Sequence, residues 1–308
     1  MQKYILSRLG QTFFVLILVT LLTFIMLNVV PGDPVRAMLQ RADEATIARV
    51  REQLGLNRPL HIQYLNFVGN ALKGDLGNSY FDKRPVFDML NQCFQITALL
   101  SITSLFASLV FGLLIGSLAA IFRGTLVDRG LMLLATAGMS APIFWVAVLL
   151  QIALGLYLGV LPISGQQDAG WMVMPVICLG LAYGAGMSRL VRTNVIDILT
   201  QDYVRTARSK GIGEFAIVTK HVMKNAGIPI ITISGMQLRS LLSGAMVLEV
   251  IFSIRGMGKL AYDAIMKRDI PLIQGCVLYA AVIFVLINLF VDLLYGMMDP
   301  RVRVSRGE

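Results

Sequence analysis

Six long runs of mostly apolar residues, at 9–30, 97–122, 131–161, 171–190, 228–252 and 272–298, leave this chain few choices of fold. A helix needs about twenty such residues to cross a bilayer, and within lipid every backbone N–H and C=O must find a partner inside the protein. The runs are therefore predicted to be six transmembrane helices of an all-α, polytopic membrane protein. Composition agrees: 56% of the 308 residues are hydrophobic and 15% are charged, against about 25% charged in soluble domains, and the mean hydropathy is +0.72.

The net charge of +9 raises the question of a nucleic-acid partner, but the basic residues flank the runs instead of gathering on one soluble domain. The positive-inside rule explains them more simply. Lys3 and Arg8 precede the first run, Arg123 and Arg129 lie between the second and third, seven basic residues fall within 189–224, and Arg301, Arg303 and Arg306 close the chain. These segments are expected in the cytoplasm, with both termini. The segment 253–271 breaks the pattern with Arg255, Lys259, Lys267 and Arg268, although six crossings place it outside. The first run is too long for a signal-peptide core and is followed by Pro31-Gly32-Asp33-Pro34 without a small-residue cleavage site, so it is expected to remain as an anchor. Cys93, Cys178 and Cys276 are widely spaced, and His61 and His221 have no ligand-spaced company, so neither a disulfide framework nor a metal site is expected.

Residues 31–95 read as a small helical insertion outside the membrane. Asp43 suits the N-cap of a helix carrying Ile47, Val50 and Leu54 and ending at Gly55; Pro59 opens a second, with Ile62, Leu65, Val68 and Leu72, stopped by Gly74. The second run carries Gly112, Gly116, Ser117, Ala119 and Ala120, spacing that lets helix backbones approach closely. The third is interrupted by Gly138, Ser140 and Pro142, where a tilt or kink is predicted. Trp145 and Tyr157 suit packing or an interface better than a binding platform.

Between the fourth and fifth runs, residues 189–229 are too polar for lipid. A short basic helix is predicted through Tyr203, Val204, Arg205, Thr206, Ala207, Arg208 and Lys210, with Gly211 and Gly213 as C-cap and break, a return helix at 214–225 containing His221 and Asn225, and Pro229 in the first turn of the fifth span. Within the fifth run, Gly235, Arg239, Ser243 and Met246 share a helical face. A charge near mid-bilayer costs at least about 3 kcal/mol unless it meets a partner or cavity. Arg239, with Ser243, therefore either lines a substrate path or is paired, with Asp292 or an acid of another subunit. Glu249 suits an outer gate or an interface.

Ordered along the chain, Pro31-Gly32-Asp33-Pro34, Leu54-Gly55-Leu56, Gly74-Asp75-Leu76-Gly77 with Ser79, the Ser140, Pro142, Phe144 and Trp145 group, Tyr203 to Gly211, and Asn225, Ala226 and Pro229 form a recognisable series. So do Arg268-Asp269 with Pro271, Gln274 and Gly275, and Asn288, Asp292, Tyr295 and Asp299-Pro300. Over essentially its whole length the chain resembles the permease subunits, B-type in particular, of bacterial ATP-binding-cassette (ABC) importers for dipeptides, oligopeptides and nickel. Arg205-Thr206-Ala207 stands where the wider importer superfamily has Glu-Ala-Ala, as in the peptide branch, and Ile254-Arg255 stands where Trp-Pro is usual.

The resemblance implies a place in a bacterial inner membrane and a division into an N-terminal transmembrane helix (1–30), the insertion (31–95), a five-helix core (96–301) with a coupling loop at 189–228, and a tail (302–308). It also implies that the loop inserts a coupling helix into an ATPase, that a second homologous permease, two ATPase subunits and an extracytoplasmic binding protein are partners, and that peptides, or else nickel or a glutathione-like solute, are cargo. No cofactor is expected on this chain; ATP and Mg belong to the ATPases. Gly256-Met257-Gly258-Lys259-Leu260 ends like a P-loop, yet that pattern needs Gly at 253 and Ser or Thr at 260. Catalysis is thus not expected here. An ion-coupled secondary transporter is the rival class, but no internal repeat or buried acidic relay supports it.

Overall fold

The computed structural model describes residues 2–29, 33–39, 42–217 and 223–298. Fourteen α-helices can be followed among them: α1 (Gln2–Val29), α2 (Pro34–Met38), α3 (Glu44–Gln53), α4 (Leu60–Ala71), α5 (Val86–Ile121), α6 (Leu126–Ser140) and α7 (Ile143–Leu150), which continues to Tyr157 as a π-helix; then α8 (Val173–Leu199), α9 (Asp202–Ser209), α10 (Glu214–Ala216), α11 (Met223–Gly244), α12 (Met246–Ile251), α13 (Met257–Lys267) and α14 (Ile270–Met298). No strand occurs among the described residues. Helices occupy all six apolar runs. Three are long and apolar enough to cross a membrane, Val86–Ile121, Val173–Leu199 and Ile270–Val291, and α6 with α7 makes a fourth if the bent pair counts as one crossing. The predicted count of six therefore stands at three to four by length and apolarity. The described apolar part of α1 is only Phe14–Val29, and the fifth run is split at Ala245 into α11 and α12.

The kink predicted in the third run is a bend of 101°. Ala141 is extended, at φ −73° and ψ 128°, because the residue before a proline is driven from the α region, and Pro142 starts the next helix without a donor. Trp145 and Tyr157 lie on the exposed side of that second limb.

Residues 1–97 with 255–287 form one compact unit, and 98–254 with 288–308 another. In the first, Val86, Met89 and Leu90 of α5 bury against Ala264, Leu272 and Cys276. The insertion helices start and stop where the sequence indicates, with Asp43 and Pro59 at their N-caps and Gly55 and Gly74 left-handed, at φ 68° and 82°. Helix α5, however, begins at Val86, so the last ten residues of the predicted insertion belong to a span. Asp33 caps α2 through the Val35 N–H and pairs with Arg51 of α3. Asp269, 1% exposed, accepts hydrogen bonds from Ser79 Oγ at 2.5 Å and the Tyr80 N–H at 3.1 Å. Burial, and then the Asp269 charge beside it, push the Tyr80 phenol up to about 12. The basic segment 253–271 that strained the charge rule is thus an ordered helix, α13, leading into a buried carboxylate.

In the second unit α8 packs against α6, α7 and α11. Its contact with α5 is made through glycines on both helices: Gly112 and Gly116 meet Met187, Ser188 and Val191, while Gly180 and Gly184 meet Ala107, Ser108 and Phe111. The small-residue spacing of the second run thus has its counterpart four residues apart on α8. One polar clamp crosses the same contact: Gln237 of α11 accepts from Ser108 Oγ at 2.8 Å and donates to the Tyr183 carbonyl at 3.0 Å.

Candidate functional site

The polar stretch between the fourth and fifth runs is less of a separate loop than its composition indicates. Helix α8 runs past Arg189 and Arg192 to Leu199, because Ser188, Val191 and Val195 carry a fully buried stripe through the polar residues. Thr200 and Gln201 then turn the chain into α9. In α9, Asp202, Tyr203, Arg205, Thr206, Arg208 and Ser209 are exposed, whereas Val204 is fully buried and Ala207 nearly so. Those two seat the helix on its own chain, in a cluster with Ala120 of α5, Val191 and Val195 of α8, Ile217, and Ala226 and Ile230 of α11. The exposed surface of α9 and its C-cap accordingly includes Tyr203, Arg205, Thr206, Arg208, Lys210 and Gly211, whereas Val204 and Ala207 are turned inward.

Helix α9 ends in a two-bond C-cap. Gly211 N–H donates to the Arg208 carbonyl at 2.9 Å and Ile212 N–H to the Ala207 carbonyl at 3.3 Å, with Gly211 at φ 77°. Gly213 is not left-handed; its carbonyl accepts from Ile217 N–H and opens the short α10. A side chain at 211 meets open space but a disfavoured backbone, so Gly211→Val is expected to cost about 1–2 kcal/mol. Limited proteolysis within 200–217 should accelerate in that variant, while the corresponding Gly213→Ala should leave it nearly unchanged.

Of the predicted return helix, α10 covers Glu214–Ala216 and α11 begins its described part at Met223. His221 lies outside the described residues. Asn225 belongs to α11, and Pro229 lies inside that helix, not in its first turn. The buried positions Ala226 and Ile230 keep this part of the chain helical ahead of the apolar run. Asn225 Nδ2 donates to Tyr203 Oη at 2.7 Å, tying α9 to the base of α11.

A second tie escaped the sequence reading. Arg192 of α8 makes a bidentate ion pair with Asp128 of α6, Nε–Oδ1 2.7 Å and Nη2–Oδ2 2.8 Å, and Asp128 also accepts from the Gly124 N–H at 2.9 Å. The available signal was an acid set in a turn otherwise basic, at Arg123 and Arg129. The α5–α6 turn and the foot of α8 are thereby held together beside the α9 socket.

On α11, Arg239 Nη1 donates to Asn288 Oδ1 of α14 at 2.5 Å. The predicted partner, Asp292, sits one turn further on; its side chain and that of Ser243 lie outside the described residues. Gly235 faces α14 as well, where a Cβ would come within 2.7 Å of Val291. The face of Gly235 and Arg239 is therefore packed on a helix of the same chain. Glu249, in α12, is fully buried.

A family model described as "Binding-protein-dependent transport system inner membrane component" matches residues 112–304, and its N-terminal companion matches 1–101. The glutathione transport system permease protein GsiC of Salmonella choleraesuis is 40% identical over 304 residues, covering 98% of this chain and 99% of that protein; the protein of that name from Escherichia coli K12 is 39% identical. Among solved structures, an inward-facing MetNI methionine ABC transporter is similar with a TM-score of 0.55 at 19% identity, covering 68% of this chain and 96% of that one. An amino acid ABC transporter is similar with a TM-score of 0.51 at 14% identity; at these identities the likeness is one of fold.

Proposed function

Because the chain belongs to the family of binding-protein-dependent transport system inner membrane components, and so is a membrane permease component of an ABC importer, we propose that it forms half of the path for peptides or peptide-like solutes. Such a system has ATPase and substrate-binding partners; the finer assignment is two ATPase subunits, a second homologous permease, and six crossings with both termini in the cytoplasm. ATP and Mg belong to the ATPases, and this chain contributes no catalysis. The cargo reading draws on the relatives named for glutathione, itself a small peptide.

The observation that carries the coupling role is the two-sided character of α9. Val204 and Ala207 fasten it to helices α5, α8 and α11, while Arg205, Thr206 and Lys210 face outward. A force applied to the outer face is passed by packed contacts to three long helices at once, and packed helices respond by switching between discrete arrangements. Arg205→Glu with Lys210→Glu is expected to abolish co-purification with the ATPase and ATP-driven uptake, with the amount of permease in the membrane unchanged. Retained co-purification would remove α9 from the interface, and uptake driven by an ion gradient without ATP would favour a secondary transporter.

Arg239 and Ser243 are assigned to the translocation path and Glu249 to its outer gate. Arg239→Ala is expected to lower uptake about tenfold or more, by loss of a charge-assisted hydrogen-bonding group, with wild-type levels of assembled complex. Loss of folded protein instead would assign the Arg239–Asn288 contact to structure.

A further inference from the structure

Within the first unit, a cavity of about 490 Å³ opens among the end of α1, the α3–α4 corner, the turn at 75–80 and the start of α14. That volume falls in the roughly 300–1,000 Å³ of sites for small organic ligands. Its polar lining includes the amides of Asn28, Asn66, Asn70 and Gln274 and the opposite charges of Arg58 and Asp75. Gln274 is 9% exposed and makes no hydrogen bond among the described residues, whereas buried amides normally find partners. Gln274 thus brings an amide with no partner among the described residues to the lining of the cavity. Arg58 and Asp75 have no ion pair among the described residues; Asp75 Oδ1 accepts from the Gly77 N–H at 2.8 Å, which leaves the second carboxylate oxygen available.

We propose that this cavity binds short peptides as zwitterions, Arg58 taking the α-carboxylate, Asp75 the α-ammonium, and Gln274 a peptide group between them. An amide side chain matches a peptide group because each offers one N–H donor set and one carbonyl acceptor, and a guanidinium matches a carboxylate in the same paired fashion. The assignment rests on the reading of the chain as a peptide-importer permease and adds a substrate contact supplied by the permease itself.

The test uses the full chain in nanodiscs of phosphatidylcholine and phosphatidylglycerol, titrated with trialanine, N-acetyl-trialanine, trialanine amide and phosphoethanolamine. Trialanine should bind saturably, and Gln274→Leu should weaken it about tenfold. Asp75→Asn should weaken trialanine about tenfold but leave N-acetyl-trialanine unaffected, and Arg58→Gln should weaken trialanine but leave trialanine amide unaffected; a folding defect cannot produce that crossed pattern. No saturable binding, equal losses for capped and uncapped peptides, or displacement of trialanine by phosphoethanolamine at equal concentration overturns the proposal, the last in favour of a lipid headgroup. ATP-driven trialanine uptake by the assembled importer that survives both charge substitutions unchanged sinks the cavity assignment alone. Peptide binding that persists in a complex with no ATP-driven uptake of any peptide sinks the importer reading alone.

Discussion

Gly116→Leu is expected to leave no folded permease in the membrane. A Cβ at that position would come within 2.5 Å of the Ser188 carbonyl oxygen and 2.7 Å of Val191 Cβ, and the backbone of α8 cannot move aside without parting from α6 and α11 as well. A single added methyl costs about 1–3 kcal/mol in a packed core; the branched side chain of leucine prevents α5 and α8 from closing at all. The glycines should rank by what they face. Gly186 of α8 has open space where a Cβ would stand, so Gly186→Ala should lower the melting temperature of the detergent-purified chain less than Gly116→Ala does. Equal tolerance at both positions would show that α5 and α8 do not pack in this register.

The second large effect is asymmetric. Arg192→Ala strands the Asp128 carboxylate, 6% exposed, whereas Asp128→Ala strands a guanidinium that is 27% exposed and close to water. Breaking a buried pair costs about 3–5 kcal/mol when the remaining charge is trapped, and an exposed pair is worth about 0–1 kcal/mol. The arginine variant should accordingly lose about 3 kcal/mol and the aspartate variant about 1 kcal/mol, with the double variant more stable than Arg192→Ala alone. Thermal unfolding of the four proteins as a double-mutant cycle measures this. Equal losses from the two single variants would mean that Asp128 reaches solvent once its partner is gone.

Much of the fold was legible because lipid imposes a simple rule. Apolar runs had to be helices, Pro142 had to break the third of them, and the caps at Asp43, Gly55, Pro59, Gly74 and Gly211 follow from local backbone preference. The site was legible only as far as local chemistry extends. The stretch 202–211 stood out as a basic helix with a glycine stop, but which of its faces is free depends on Ile217, Ala226 and Ile230, which lie further along the chain. For the same reason Pro229 was placed at a helix start, when the buried positions 226 and 230 keep the chain helical on both sides of it.

The sequence by itself determined the all-helical class, the positions of the apolar helices, the close-packing glycines of α5 and the family resemblance, since each is written in neighbouring residues or in their order. Only the tertiary structure decided that Arg239 meets Asn288, that Asp128 holds Arg192, that Asp269 gathers Ser79 and Tyr80, and that Val204 and Ala207 face inward. Those pairings join residues tens of positions apart or more. Periodicity reports which face of a helix is apolar, and only packing reports what that face meets.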